Sequence, residues 1–238
     1  MGIKRYIPDA ITLGNLASGL LGVVAALAGE IDKAFVLMLA GAVFDFFDGM
    51  AARLLHAGSD LGKQLDSLSD LVTFGVLPSI MLYESMVLQG SGPWAFGALS
   101  MALFAAVRLA KFDVDTRQSL DFIGLPSPSA AILAGSLTSY VIAGNPGSVF
   151  SVWVSSHPLF WLGVALLLGI LMVCEIPMFG IKVAKGRKLM DAKRWALVCV
   201  CFLAIAITAA TGQNWTLVPV VIILGYITEN LILKLLPE

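Results

Sequence analysis

The 238-residue chain is poor in charge: Asp, Glu, Lys and Arg together make up 13% of it. A soluble globular domain carries about 25%. It has two histidines and three cysteines, Cys174, Cys199 and Cys201, all within apolar runs. Their spacing fits neither a disulfide framework nor a zinc site, so they are expected to be packed among apolar side chains. With so few Cys and His there is no Ser-His-Asp or Cys-His constellation near the acidic motif described below, and no covalent enzyme intermediate is expected. The formal net charge of −1 offers no electrostatic reason to propose nucleic acid as a partner.

What is abundant is apolar surface. Hydrophobic residues make up 58% of the sequence, and the mean hydropathy is +0.91. Eight apolar stretches stand near the ~20 residues that a spanning helix needs: 10–29, 34–56, 64–88, 93–113, 127–144, 158–181, 194–211 and 215–236. The expected fold is all-α, a polytopic integral membrane bundle of about eight helices. It reads as one membrane domain over 1–238, with a six-helix core over about 1–181 and two further helices over 182–238. With the amino terminus inside, fourteen of the fifteen Lys and Arg residues lie on the cytoplasmic side and only Lys33 lies outside. The positive-inside rule then places both termini at the cytoplasm, in a cell (inner) membrane. A signal peptide is superficially possible at Lys4, Arg5 and Ala26-Leu27-Ala28. Against it, Thr12, Asn15, Ser18 and Gly19 form a polar stripe that a signal core does not need, so a retained first helix is expected.

Charge is concentrated where it is most costly. The stretch from Phe44 to Pro78 holds Asp45, Asp48, Asp66 and Asp70 among apolar residues. Asp45 and Asp48 are three apart and Asp66 and Asp70 four apart, so each pair shares one helix face. An Asp near a membrane centre costs about 2.5–3.5 kcal/mol on insertion scales, and four together repel one another as well. Hard divalent cations on carboxylate oxygen would relieve both burdens. Small residues at Gly49, Ala52 and Gly62 leave room for a large ligand near the backbone. Such metals suit phosphate oxygens, and two of them can clamp the attacking and leaving oxygens of a displacement at phosphorus.

The same residues carry a resemblance. Asp45-x2-Asp48-Gly49-x2-Ala52-Arg53-x8-Gly62-x3-Asp66-x3-Asp70 agrees at all eight specified positions with the signature of the CDP-alcohol phosphotransferase family. Phe112-Asp113-Val114, with Phe122-Ile123-Gly124-Leu125-Pro126-Ser127-Pro128 downstream, looks like its phosphatidylserine synthase branch. The resemblance implies transfer of a phosphatidyl group from CDP-diacylglycerol to L-serine, releasing CMP, with two divalent ions (Mg²⁺ or Mn²⁺) as cofactors. It implies that Asp45, Asp48 and Asp66 hold the metals that bind the donor diphosphate. Asp70, near or partly bound to a metal, would take the proton of the acceptor hydroxyl. Asn15, Asp48, Gly49, Ala52, Arg53 and Gly62 would form the nucleotide pocket. Arg108, Lys111, Arg117, Gly124, Pro126 and Ser127 are the candidates for holding the acceptor. Membrane lipid and a second copy of the chain, as a homodimer, are the partners implied. A phosphorylated acceptor, glycerol phosphate or inositol phosphate, is the nearest alternative. A divalent-cation transporter is a more distant one, because the acids gather towards one membrane face and no internal repeat is visible.

Overall fold

The computed structural model describes residues 6–114, 122–178 and 188–235. Two apolar helices open the chain, α1 (Tyr6–Leu27) and α2 (Ile31–Leu54), joined by a turn in which Gly29 has φ +80°. They are followed by α3 (Asp60–Leu88) and α4 (Gly92–Val114), and these four are long and apolar enough to cross a membrane. Next come α5 (Ser127–Ser139), prolonged by a π-helical turn over Tyr140–Gly144, then α6 (Val149–Ser156) and α7 (Leu159–Val173). The last two helices are α8 (Lys188–Thr211) and α9 (Leu217–Leu235). Helices α6 and α7 meet at 95° and count as a fifth span if taken together.

Where they are described, the apolar stretches are helical over most of their length, with two differences: Val149–Ser156 (α6) is a helix outside all of them, and one stretch is shorter than expected. The stretch 158–181 ends as a helix at Val173, because Pro177 lacks the N–H to continue it and drives Ile176 towards extended backbone. Pro177–Met178 (β2) instead pairs antiparallel with Phe122–Ile123 (β1). Cys199 also departs from expectation, since it is exposed while Cys174 and Cys201 are partly covered.

Two apolar clusters hold the bundle. One joins α1, α2 and α3 through Ala26, Ile31, Phe35, Met38, Phe74 and Leu77. The other runs from α3 and α4 to α7 and α9 through Leu82, Met101, Trp161, Met172, Ile223 and Ile227. Large apolar side chains such as Leu103, Val107 and Phe202 are left on the outside, where hydrocarbon rather than water would surround them. At the end remote from the aspartates, the α8–α9 turn is fastened to the core. Gln213 Oε1 accepts from the Tyr140 hydroxyl at 2.8 Å and from Asn145 Nδ2 at 2.9 Å, and Trp215 stacks on Phe35 with ring centroids 5.5 Å apart.

The polar stripe of α1 faces inward: Thr12, Asn15, Ser18 and Gly19 are all buried. Just after Asp70, α3 widens into a π-helical turn over Leu71–Val76, which turns Thr73 towards α1. The Thr73 hydroxyl donates to the Asn15 carbonyl at 3.1 Å. Helix α2 comes close at the same point. A Cβ on Gly41 would lie 2.6 Å from Thr73 Cγ2 and 2.9 Å from Asn15 Oδ1, so the three helices meet where one of them has no side chain. Gly41→Ala is therefore expected to cost about 2 kcal/mol through overpacking and to displace Asn15. A melting temperature in detergent equal to that of the wild type would contradict the packing.

Candidate active site

Asp45 and Asp48 lie near the C-terminal end of α2, and Asp66 and Asp70 lie in the first part of α3. Ser59 starts α3 by capping, its hydroxyl accepting from the Gly62 amide at 2.9 Å. That cap fixes where the turn ends and hence the register of Asp66 and Asp70. The structure brings Asp45, Asp48 and Asp66 together, with ligand oxygens all within 4.8 Å of one another. Asp70 stands apart from that trio and is tied to α1, its Oδ1 accepting from Asn15 Nδ2 at 3.0 Å.

These oxygens fit a hard divalent cation. An ion that binds oxygen at about 2.0–2.6 Å separates opposite ligands by about twice that distance, which spans the trio. Asp66 Oδ1 is buried without a hydrogen-bond partner, as a ligand atom awaiting a cation would be. The donor set is oxygen only, which suits Mg²⁺ or Mn²⁺ over softer metals.

Thr12 is a residue that the sequence reading passed over. Its hydroxyl lies 2.6 Å from Asp48 Oδ2 and 3.0 Å from the Pro8 carbonyl, so it orients Asp48 from outside the acidic trio. The signal was available: Thr12 and Asn15 are three apart, as Asp45 and Asp48 are, and each α1 residue reaches one acid. Outer-shell partners of this kind commonly carry 10- to 100-fold in metal affinity. Thr12→Val is expected to raise the Mg²⁺ or Mn²⁺ concentration needed for half-maximal binding of a cytidine diphosphate probe by about tenfold. An unchanged metal titration would remove Thr12 from the site.

Beside the trio lies an open cavity of about 240 Å³, lined by residues that include Thr12, Asp48, Gly49, Ala52, Gly62 and Asp66. Asp9, Ser59 and Lys63 line it as well and were not foreseen. Of the expected nucleotide-pocket residues, Asp48, Gly49, Ala52 and Gly62 border this space. Asn15 is fully buried behind it, and the exposed Arg53 is not among its walls.

The candidate acceptor residues are placed differently. Lys111 is exposed on α4, and Arg117 lies outside the described residues. Arg108 is 7% exposed. Its Nε donates to the Leu125 carbonyl at 2.6 Å, and Nη1 reaches the Ser127 hydroxyl at 3.4 Å. Gly124 is held in the left-handed region, with φ +76°. A Cβ there would lie 2.6 Å from the Met172 carbonyl and 2.8 Å from that of Cys174, so only glycine fits. The Gly124 and Leu125 amides donate to the carbonyls of Ile176 and Leu171 at 2.9 and 2.8 Å, and Pro126 then leads into α5. Gly124, Pro126 and Ser127 thus belong to a segment bound on one side by α7 and on the other by Arg108. Asp113, singled out in the sequence only as part of a motif, locks the end of α4 to α3 by accepting from Ser67 at 2.9 Å, while Lys63 lies 3.7 Å from its carboxylate.

Comparison with known proteins bears on this arrangement directly. A family model described as CDP-alcohol phosphatidyltransferase matches residues 5–168, which include all four aspartates, the cavity and the Gly124–Pro128 segment. The chain belongs to the CDP-alcohol phosphatidyltransferase family. It is 42% identical over 128 residues to the CDP-diacylglycerol–serine O-phosphatidyltransferase of Bacillus subtilis strain 168, covering 54% of this chain and 72% of the relative. It is 31% identical over 226 residues to the protein of the same name in Mycobacterium tuberculosis H37Rv, covering 92% and 75%. The archaetidylserine synthase of Methanothermobacter thermautotrophicus is 34% identical over 143 residues, or 58% of each chain. Members of the family use divalent metals, and Asp45, Asp48 and Asp66 form an acidic cluster that could hold such an ion.

Proposed function

We propose that the protein transfers a phosphatidyl group from CDP-diacylglycerol to the hydroxyl of L-serine, forming phosphatidylserine and CMP. The observation that carries this reading is the convergence of three carboxylates from α2 and α3 beside a cavity walled by small residues. The names of the bacterial relatives support the lipid donor and serine, and the archaeal relative's name supports serine as acceptor.

In this reading Asp45, Asp48 and Asp66 hold two divalent ions, Mg²⁺ or Mn²⁺. When bound, these supply positive charge that screens the donor diphosphate and stabilises the leaving phosphate oxygen. The cavity at Gly49, Ala52 and Gly62 receives the cytidine end, with Arg53 at its margin, and the acyl chains stay in the bilayer. Asp70, oriented by Asn15, accepts the proton of the serine hydroxyl. The serine oxygen forms a bond to the diacylglycerol-bearing phosphorus, the phosphorus–oxygen bond to CMP breaks, and CMP leaves with that electron pair. No group of the chain is covalently modified. The segment Gly124–Ser127 and Arg108 border the acceptor side, with Lys111 and Arg117 as further cations there.

The same reading makes the protein an inner-membrane enzyme with about eight spans, both termini and the active site at the cytoplasm, and a homodimeric state. It divides the chain into a six-helix core over about 1–181 and two additional helices over 182–238. The end of the family match at residue 168 supports that division, and the sidedness of the Lys and Arg residues supports the orientation.

The test is CMP release by purified protein given CDP-diacylglycerol, Mg²⁺ or Mn²⁺, and one alcohol at a time. Release with serine is expected. Release with glycerol phosphate or inositol phosphate and none with serine would overturn the choice of acceptor.

A further inference from the structure

Thr73 is fully buried, as is Asn15, and the reaction described above gives it no part. It stands in the π-helical turn Leu71–Val76, which begins at the residue after Asp70. Such a turn takes one residue more than an α-helical one, so the register of the acids before it, relative to the core after it, depends on what fixes the turn. Two bonds to a single residue of α1 do so. Asp70 Oδ1 accepts from Asn15 Nδ2 at 3.0 Å, and the Thr73 hydroxyl donates to the Asn15 carbonyl at 3.1 Å. Asn15 is thus held at its side chain by position 70 and at its backbone by position 73.

The α1 carbonyl can be reached because the next turn has no side chain. In α1 the Asn15 carbonyl is the acceptor for the Gly19 amide four residues on, and its second lone pair takes Thr73. A Cβ on Gly19 would collide with Thr73 Oγ1, and one on Gly41 would lie 2.6 Å from Thr73 Cγ2. Thr73 therefore sits in a slot cut by two glycines, its hydroxyl towards α1 and its methyl towards α2. Asn15 depends on that grip. Its Oδ1 is buried with no hydrogen-bond partner among the described residues, so its amide has only the bond to Asp70 to orient it.

We propose that Thr73 is a positioning residue for the reaction: by tying the turn after Asp70 to the Asn15 carbonyl, it sets where the Asp70 carboxylate stands, and thereby the rate of proton removal from the acceptor hydroxyl. This gives the π-helical turn a part in turnover that the acidic motif alone does not assign. It rests on the reading that Asp70 is the general base. Thr73 acts through Asn15 and the backbone of its own turn.

Thr73→Val keeps the shape and removes the hydroxyl, whereas Thr73→Ser keeps the hydroxyl. The assay is CMP release by the full-length protein in mixed micelles, run with whichever alcohol the wild type accepts. Thr73→Val is expected to lower kcat about tenfold, the scale of a small misplacement of a reacting group, with both KM values and the Mn²⁺ midpoint within about twofold of wild type. Thr73→Ala, too small to clash in the slot, should show the same loss. Thr73→Ser should stay within about threefold of the wild-type kcat. Placed on Asp70→Asn, Thr73→Val should lower the residual kcat by less than about twofold, because the base it positions is gone. Asp70→Asn alone reports whether Asp70 is the base, so that reading can fail separately. Thr138→Val removes another fully buried threonine hydroxyl, bonded to the Ala134 carbonyl of its own helix, and should leave kcat unchanged. The proposal is overturned by an unchanged kcat in Thr73→Val or Thr73→Ala, by an equal loss in Thr73→Ser, by the same loss on the Asp70→Asn background, or by the same loss in Thr138→Val.

Discussion

Asp70→Asn is expected to slow CMP release by about 10³-fold while the variant still binds Mn²⁺ and a cytidine diphosphate lipid within about fivefold of wild type. The first figure is within the range that a positioned general base contributes, about 10² to 10⁴. The second follows from the geometry. Asp70 stands outside the trio of mutually close ligand oxygens, and its Oδ1 is engaged by Asn15. An amide at position 70 keeps the shape and can still accept from Asn15, but it cannot take a proton from a hydroxyl. Parallel single-turnover kinetics and equilibrium binding separate the two effects. If Asp70→Asn and Asp45→Asn lost metal and donor affinity to the same extent, the division of roles between base and ligands would fail.

Asp66→Asn is expected to do the opposite, weakening Mn²⁺ and donor binding by more than about 100-fold, beyond what an outer-shell partner carries. Its effect on stability should change sign with the metal. Carboxylates within 4.8 Å of one another repel by about 3 kcal/mol per pair at an effective dielectric near 20, less where water screens them. With chelator present, Asp66→Asn should therefore melt no lower than wild type. With saturating Mg²⁺ the wild type gains the binding free energy of the ion and the variant does not. Thermal unfolding with and without EDTA reads both effects. A variant destabilised equally in both conditions would show that Asp66 serves packing, not ligation.

Much of this was legible in the sequence because its signals are strong ones. Apolar stretches declared the helices, and the register of Asp45, Asp48, Asp66 and Asp70 declared two acidic faces. What stayed hidden depends on how helices meet. Nothing in the pattern said that Asp70 would turn to Asn15 while the other three gathered, since that follows from the crossing of α1 with α3 and from the π-helical turn after Asp70. Thr12 looked like one more member of a polar stripe until its hydroxyl was seen against Asp48. Gly124 was read as part of a binding motif, and the structure supplies a backbone reason for it in the carbonyls of Met172 and Cys174. The early stop of α7 at Val173 was signalled by Pro177, but hydropathy alone ran past it. Arg108 was expected to help hold the acceptor; burial and its bonds to Leu125 and Ser127 make it a brace for the Gly124–Ser127 segment.

The claim on which the rest depends is that oxygens from α2 and α3 share divalent ions. Anomalous diffraction at the manganese edge, from crystals grown with Mn²⁺ and a cytidine diphosphate lipid, addresses it directly. Peaks about 2.0–2.3 Å from carboxylate oxygens of Asp45, Asp48 and Asp66 are predicted. Bound nucleotide with no manganese at these three residues, or manganese held only elsewhere on the chain, would contradict it.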